Sequence, residues 1–201
     1  MARLCAERGY EATTLADVAA GADVGVAEVE ALFGEDREEC LLAAVHVVMG
    51  ETIAAMSGAY SEDLAEADSI LAGALAILEL MAARPSYAKL AYIVSRHMAP
   101  PRVREAHEAA TQALLVMMER LRQYSTVDTQ PLGATRAALG SAETVVRVAI
   151  ARGGVEELPL LLAPLTYGAM VPFLGQAEAL RLARRANLLV QGTNQGVEKW
   201  P

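Results

Sequence analysis

Ala6-Glu7-Arg8-Gly9-Tyr10-Glu11-Ala12-Thr13-Thr14-Leu15-Ala16-Asp17-Val18-Ala19 is the stretch that decides the fold. Residues 2–8 read as the end of a helix, and Gly9 supplies a left-handed cap for it. Thr13 and Thr14 offer N-caps for a short helix over residues 15–21. Asp17 falls in the first turn of that helix, where the dipole favours a negative charge. Ala22-Asp23-Val24-Gly25 makes a tight turn, and a second short helix over residues 26–32 ends at Phe33-Gly34. Two short helices joined by a tight turn form a helix-turn-helix. Val18, Ala19, Ala22, Val24, Val29 and Phe33 are the expected miniature core that fixes its angle.

Working outward, Asp36 can cap a long helix that begins near Arg37. Its apolar positions Leu41, Val45, Val48, Thr52, Ile53 and Met56 step by three and four, as one buried helix face requires. Leu64, Ala67, Leu71, Ala74, Leu78 and Met81 repeat the pattern up to Pro85. A shorter helix is expected over 86–97, before Pro100-Pro101 breaks the chain. The next carries Val103, Ala106, Ala110, Ala113, Met117, Leu121 and Tyr124 on one face. Residues 125–133 read as a loop. Helices over 135–152, 155–174 and 176–190 follow, and the polar tail 191–201 reads as loose. No useful stretch alternates with period two, so the fold class is all-α.

Composition agrees. Hydrophobic residues make up 54% and aromatics only 4%, so the core is built from Ala, Leu, Val, Ile and Met, which suits packed helices. Cys5 and Cys40 belong to no C-x-x-C pair, and three scattered histidines complete no metal pattern, so free thiols and no cofactor are expected. Residues 158–175 carry no charge and approach the length of a membrane span. Pro159, Pro164 and Pro172 interrupt them, and no aromatic belt flanks them, so an interface helix in a cytoplasmic protein is the expectation.

The helix-turn-helix stretch, with Ala22-Asp23-Val24-Gly25, Phe33 and the Cys40-Leu41-Leu42-Ala43-Ala44-Val45 entry into a long helix, resembles the DNA-binding domain of the TetR family of transcriptional regulators. The spacing matches without gaps over about 40 residues, and the rest matches in architecture. The resemblance implies a helix-turn-helix three-helix domain over 1–45. A larger helical domain for effector binding and dimerisation would follow over 46–201. It implies a homodimeric repressor, not an enzyme, that leaves a double-stranded DNA operator when a small apolar effector binds. It aligns Thr14, Gly25, Val26, Ala27, Glu30, Leu32 and Asp36 with the family's DNA-contacting positions. The family's first helix usually extends two or more turns before the residues matching Arg3-Leu4-Cys5, which leaves open whether residues precede Met1.

Charge departs from the family pattern. Asp23 holds a turn position that is usually Gly, a conformation Asp tolerates. The recognition helix starts with Gly25-Val26-Ala27-Glu28 where small polar or basic residues are usual. Glu30 replaces a Tyr that commonly touches phosphate, Leu32 a His, and Asp36 a Lys. Residues 1–45 hold three basic side chains, Arg3, Arg8 and Arg37, against ten acidic ones. Their net charge of −7 is nearly all of the chain's −8. Phosphate binding gains from released counterions when cations face it, and carboxylates forfeit that gain. The alternative reading is therefore a TetR-like dimer that has lost DNA binding and acts as a ligand- or partner-binding module.

By the same resemblance, the effector would lie among the middle helices, with Met81, Tyr92, Arg96, His97, Met117 and Met118 as lining candidates. Met adapts to irregular ligands, and Tyr, Arg and His can orient a polar end. Met at helical spacing is more commonly plain core, and His97 can serve as a helix C-cap. No nucleophile elbow, phosphate loop or catalytic carboxylate pair is present in the sequence. Homodimerisation is expected through helices 135–152 and 158–175, with Leu161, Leu165 and Val171 near the two-fold axis.

Overall fold

Asp23 takes up φ 57°, ψ 44°, a left-handed turn between two eight-residue helices, α2 (Leu15–Ala22) and α3 (Val26–Phe33). They belong to a computed structural model that describes residues 1–61, 66–119, 125–127 and 133–194. Among those residues every regular element is helical. The order is α1 (Ala2–Arg8), α2, α3, α4 (Arg37–Gly58), α5 (Glu66–Ala83), α6 (Pro85–Lys89), a π helix (Leu90–Met98), α7 (Pro101–Glu119), α8 (Ala134–Ala151), a 3-10 turn (Leu158–Leu161) and α9 (Leu162–Asn194). Contacts divide the chain into two compact units, Met1–Ile53 with Arg84–Gln112, and Ala54–Ala83 with Ala113–Pro201.

In the first unit, α1 packs on α6 and the π helix, and α2 packs on α3. Cys5, Tyr10, Ala19, Val29, Cys40, Leu41, Val45 and Val48 are buried. The miniature core is smaller than its apolar spacing suggests. Val18 and Phe33 are half-buried, and Ala22 and Val24 are exposed because the turn lifts them into solvent. Gly9 ends α1 at φ 84°, ψ 165°. This is not the left-handed cap expected from sequence but an extended positive-φ conformation open essentially to glycine alone.

The helix expected over 86–97 is two elements. After α6 the chain winds into a nine-residue π helix, in which the buried Ser95 hydroxyl donates to the Leu90 carbonyl five residues earlier at 2.7 Å. Ala99 then turns to ψ 156°, as a residue before Pro100 must. The Glu51 carboxylate accepts from the Tyr87 hydroxyl at 3.0 Å and pairs with Arg84, which ties α4 to α6. Arg102 pairs with Glu39 at 2.7 Å, which ties α7 to α4.

In the second unit, α9 packs against α5, α8 and the 3-10 turn. Leu71, Leu75, Leu78 and Met81 of α5 are buried, as are Leu139, Val146 and Ile150 of α8 and Leu162, Phe173, Ala179, Ala183 and Ala186 of α9. Gly73 lets the Met56 end of α4 approach closely: a Cβ there would lie 3.1 Å from Met56 Cγ. Arg185 on α9 pairs with Asp68 on α5.

The apolar stretch begins later than expected, because Pro159 sits in the 3-10 turn and α9 starts at Leu162. Gly175 interrupts α9 at φ 73°, ψ 171°, three residues after Pro172. Arg37–Gly58 and Leu158–Gly192 are long and apolar enough to cross a membrane by length and composition. The second is not one continuous span, since backbone groups at the Gly175 break bond to polar loop residues. Ile53 lies on the open side of α4. Leu64, Leu121, Tyr124 and residues 195–201 lie outside the described residues.

Candidate functional site

The helix-turn-helix is assembled by local capping. The Thr14 hydroxyl accepts the Asp17 N–H at 3.1 Å, and the Thr14 N–H donates to Asp17 Oδ2 at 2.9 Å. This reciprocal box satisfies two of the orphan donors at the start of α2. The Thr14 hydroxyl also donates to Asp17 Oδ2 at 2.6 Å. These bonds, with Arg8 beside it, hold the Asp17 carboxyl below its ordinary pKa, the Thr14 side-chain bond contributing most. At α3, Glu28 Oε2 accepts the Gly25 N–H at 2.8 Å. At α4, Asp36 Oδ1 accepts the Glu38 N–H at 2.8 Å.

Each basic side chain of this region is engaged within it. Arg37 Nη1 donates to the carbonyls of Tyr10, Glu11 and Thr13 at 3.2, 3.0 and 3.1 Å. Its Nη2 pairs with the Glu11 carboxylate at 3.2 Å. Arg8 pairs with Asp17 at 3.0 Å, and Arg3 with Glu7 at 3.7 Å. Sequence spacing could have revealed the Thr14/Asp17 box and the Gly25/Glu28 contact, because both join residues three apart. No local pattern signals Arg37 reaching back 24 to 27 residues.

The seven positions aligned with DNA contacts lie on one motif. Thr14, Gly25, Val26, Ala27, Glu30, Leu32 and Asp36 are all exposed. Val29 is the buried residue of α3. Hydrogen-bond donors are missing from the side chains of α3: it offers methyl groups, Glu28 and Glu30. Major-groove edges are rich in acceptors, and phosphates are anionic, so both ask for donors. Thr14 and Asp36 act as caps.

The effector candidates fall in both units. Met81 is 1% exposed, inside the core of the second unit. Tyr92 is half-buried and Arg96 exposed, both on the π helix in the first unit. The side chains of His97, Met117 and Met118 lie outside the described residues. Two open hollows flank α8. One of about 490 Å³ is lined by Val145, Val148, Ala149, Arg152, Gly153, Gly154 and Glu157. The other, about 300 Å³, lies between the start of α8 and Gly168 and Pro172 of α9. Both cysteines are buried, which raises their thiol pKa values and leaves little reactive thiolate.

Solved structures share this arrangement. A fatty acid degradation regulator, FadR, from Bacillus halodurans superimposes with a TM-score of 0.70 at 15% identity, over 85% of this chain and 92% of that one. A TetR family transcription regulator from Marinobacter aquaeolei VT8 gives 0.60 at 15% identity, over 92% and 90%. The chain has the TetR-type fold. A regulatory protein in the TetR family from Rhodococcus RHA1 gives 0.54 at 18% identity, over 94% and 92%. No family model matches the sequence, and no curated protein matches it.

Proposed function

We propose that this chain is a TetR-type transcriptional regulator, a cytoplasmic homodimeric repressor that binds a double-stranded DNA operator and is released by a small apolar effector. The observation that carries the reading is a capped helix-turn-helix set in a TetR-type fold that extends over nearly the whole chain. Residues 1–45 would serve DNA and residues 46–201 the effector and the dimer. An apolar effector accords with the Bacillus halodurans neighbour, described as a regulator of fatty acid degradation. Met81, Tyr92, Arg96, His97, Met117 and Met118 remain the proposed effector residues. Two chains would join through α8 and α9, where Val145 and Val148 leave apolar surface open beside the larger hollow. Effector binding would favour the dimer geometry whose recognition helices no longer fit successive major grooves. Titration of the purified protein with genomic DNA fragments at low and moderate salt tests the reading. A specific complex that depends little on salt is expected, and no complex at low salt would overturn it.

One observation favours a second reading. Arg3, Arg8 and Arg37 are all engaged inside the helix-turn-helix region, and α3 exposes carboxylates. A TetR-type dimer that has lost DNA binding, and acts as a ligand- or partner-binding module, fits that chemistry. The same titration separates the two.

A further inference from the structure

The end of α8 and the 3-10 turn that follows it carry a hollow and a knob side by side. Val145, Val148, Ala149 and Arg152 stand at i, i+3, i+4 and i+7, on one face at the end of α8. That face lines the hollow of about 490 Å³, which Glu157 also borders. Gly153 turns the chain at φ 86°, and the Leu160 N–H then bonds to the Glu157 carbonyl at 3.0 Å. At three residues per turn, Glu157 and Leu160 point the same way, while Leu158 between them is fully buried. Leu160 is 58% exposed. Arg152 and Glu157 are exposed too, and neither side chain bonds to any other described residue.

We infer that the occupant of this hollow is a second copy of this chain. The partner's Leu160 sits against Val145 and Val148, and the partner's Glu157 pairs with Arg152. The inference deepens the dimer of the proposed function and rests on it. A two-fold contact is isologous, so each chain gives its knob and fills the other's hollow. The same symmetry answers both charges at once: each Arg152 gains a carboxylate and each Glu157 a guanidinium. Charge complementarity selects this occupant, because one surface carries both signs with the leucine beside them. An unrelated partner must bring an acid, a base and an apolar side chain in the matching order.

Sedimentation of the full chain over a concentration series tests it. Arg152→Glu and Glu157→Arg should each weaken self-association about tenfold, because like charges then meet at both symmetric contacts. The two variants mixed in equal amounts should form a heterodimer of parental strength, since opposite charges meet again at both. A chain that carries both substitutions should self-associate like the parent for the same reason. Leu160→Ser should weaken the dimer without changing charge. Val116→Ser, at a comparably exposed site on α7, should leave it unchanged. A dimeric parent that tolerates both reversals, or reversals that associate no better mixed than alone, overturns this contact alone. Leu160→Ser with no more effect than Val116→Ser does the same. A parent chain that is monomeric at micromolar concentration overturns the dimer reading and the contact with it.

Discussion

The Arg37 guanidinium lies 4.1 Å from the centroid of the Tyr10 ring and donates to the Tyr10 carbonyl from the same position. One side chain thus fastens the start of α4 to the loop between α1 and α2. Replacing Arg37 by Ala should cost about 2–3 kcal/mol, since charged hydrogen bonds and a cation–π contact are lost together. Arg37→Lys should recover only part of this, because one ammonium nitrogen cannot serve the carbonyls and the Glu11 carboxylate from two separate positions or lay a planar group over the Tyr10 ring. Urea unfolding measures both, and a loss below about 0.5 kcal/mol for Ala would refute the clamp.

Acid should loosen the helix-turn-helix through Asp17. Its folded pKa is depressed, chiefly by the Thr14 side-chain bond. The contribution is therefore present above the unfolded carboxyl value and is lost as pH falls through the lower folded one. Thermal melts of the wild type and Asp17→Asn should differ at neutral pH and converge below about pH 4. A difference that persists at the acid end would contradict the assignment.

Gly175 should resist substitution for a backbone reason alone. Nothing lies within 4 Å of a Cβ placed there, yet φ is 73° with ψ 171°. The break frees the carbonyls of Phe173 and Leu174. Phe173 accepts the Ser125 hydroxyl at 2.7 Å and the Thr126 N–H at 3.0 Å, and Leu174 accepts the Thr126 hydroxyl at 3.2 Å. Gly175→Ala should destabilise by about 1–3 kcal/mol. A higher melting temperature with added helical dichroism would mean that α9 prefers to run straight.

The all-α class, the helix-turn-helix and its caps were legible because they rest on spacings of three and four residues and on turn chemistry. Thr14, Asp17, Asp23 and Asp36 all take the local roles their side chains suggest. The π helix was not legible, since Leu90 to Met98 keep an ordinary apolar spacing and the wider turn depends on packing and on Ser95. Nor was the engagement of Arg37, which is set by tertiary folding. Apolar spacing also overstated the miniature core, because periodicity cannot tell a turn residue such as Val24 from one tucked beneath the helices.

The α8 surface should carry the dimer. Val145 and Val148 are exposed one turn apart beside the hollow that Arg152 and Glu157 border. Leu161, Leu165 and Val171 are each half-buried within their own chain and leave less surface for a partner. Val148→Glu should therefore give a monomer in sedimentation at micromolar concentration, where the parent chain sediments as a dimer. A parent chain that is monomeric there removes the dimer, and a dimeric variant moves the seam elsewhere.

Two substitutions at the candidate DNA face should behave differently although each replaces one carboxylate by one ammonium. Glu30 is exposed and bonds to none of the other described residues, so Glu30→Lys should leave the melting curve alone. It should raise duplex affinity and steepen the dependence of log affinity on log salt by about 0.9, the value of one added phosphate contact. Asp36 caps α4 through the Glu38 N–H, so Asp36→Lys should cost about 1 kcal/mol of stability. Its affinity gain should be smaller, because a loosened α4 start holds the motif less firmly against the duplex. Fluorescence anisotropy with one duplex across a salt series, beside melts of each variant, reads both effects. Equal gains from the two variants would mean that the Asp36 cap contributes nothing to the face. No gain from Glu30→Lys would mean that α3 does not approach the phosphates at all.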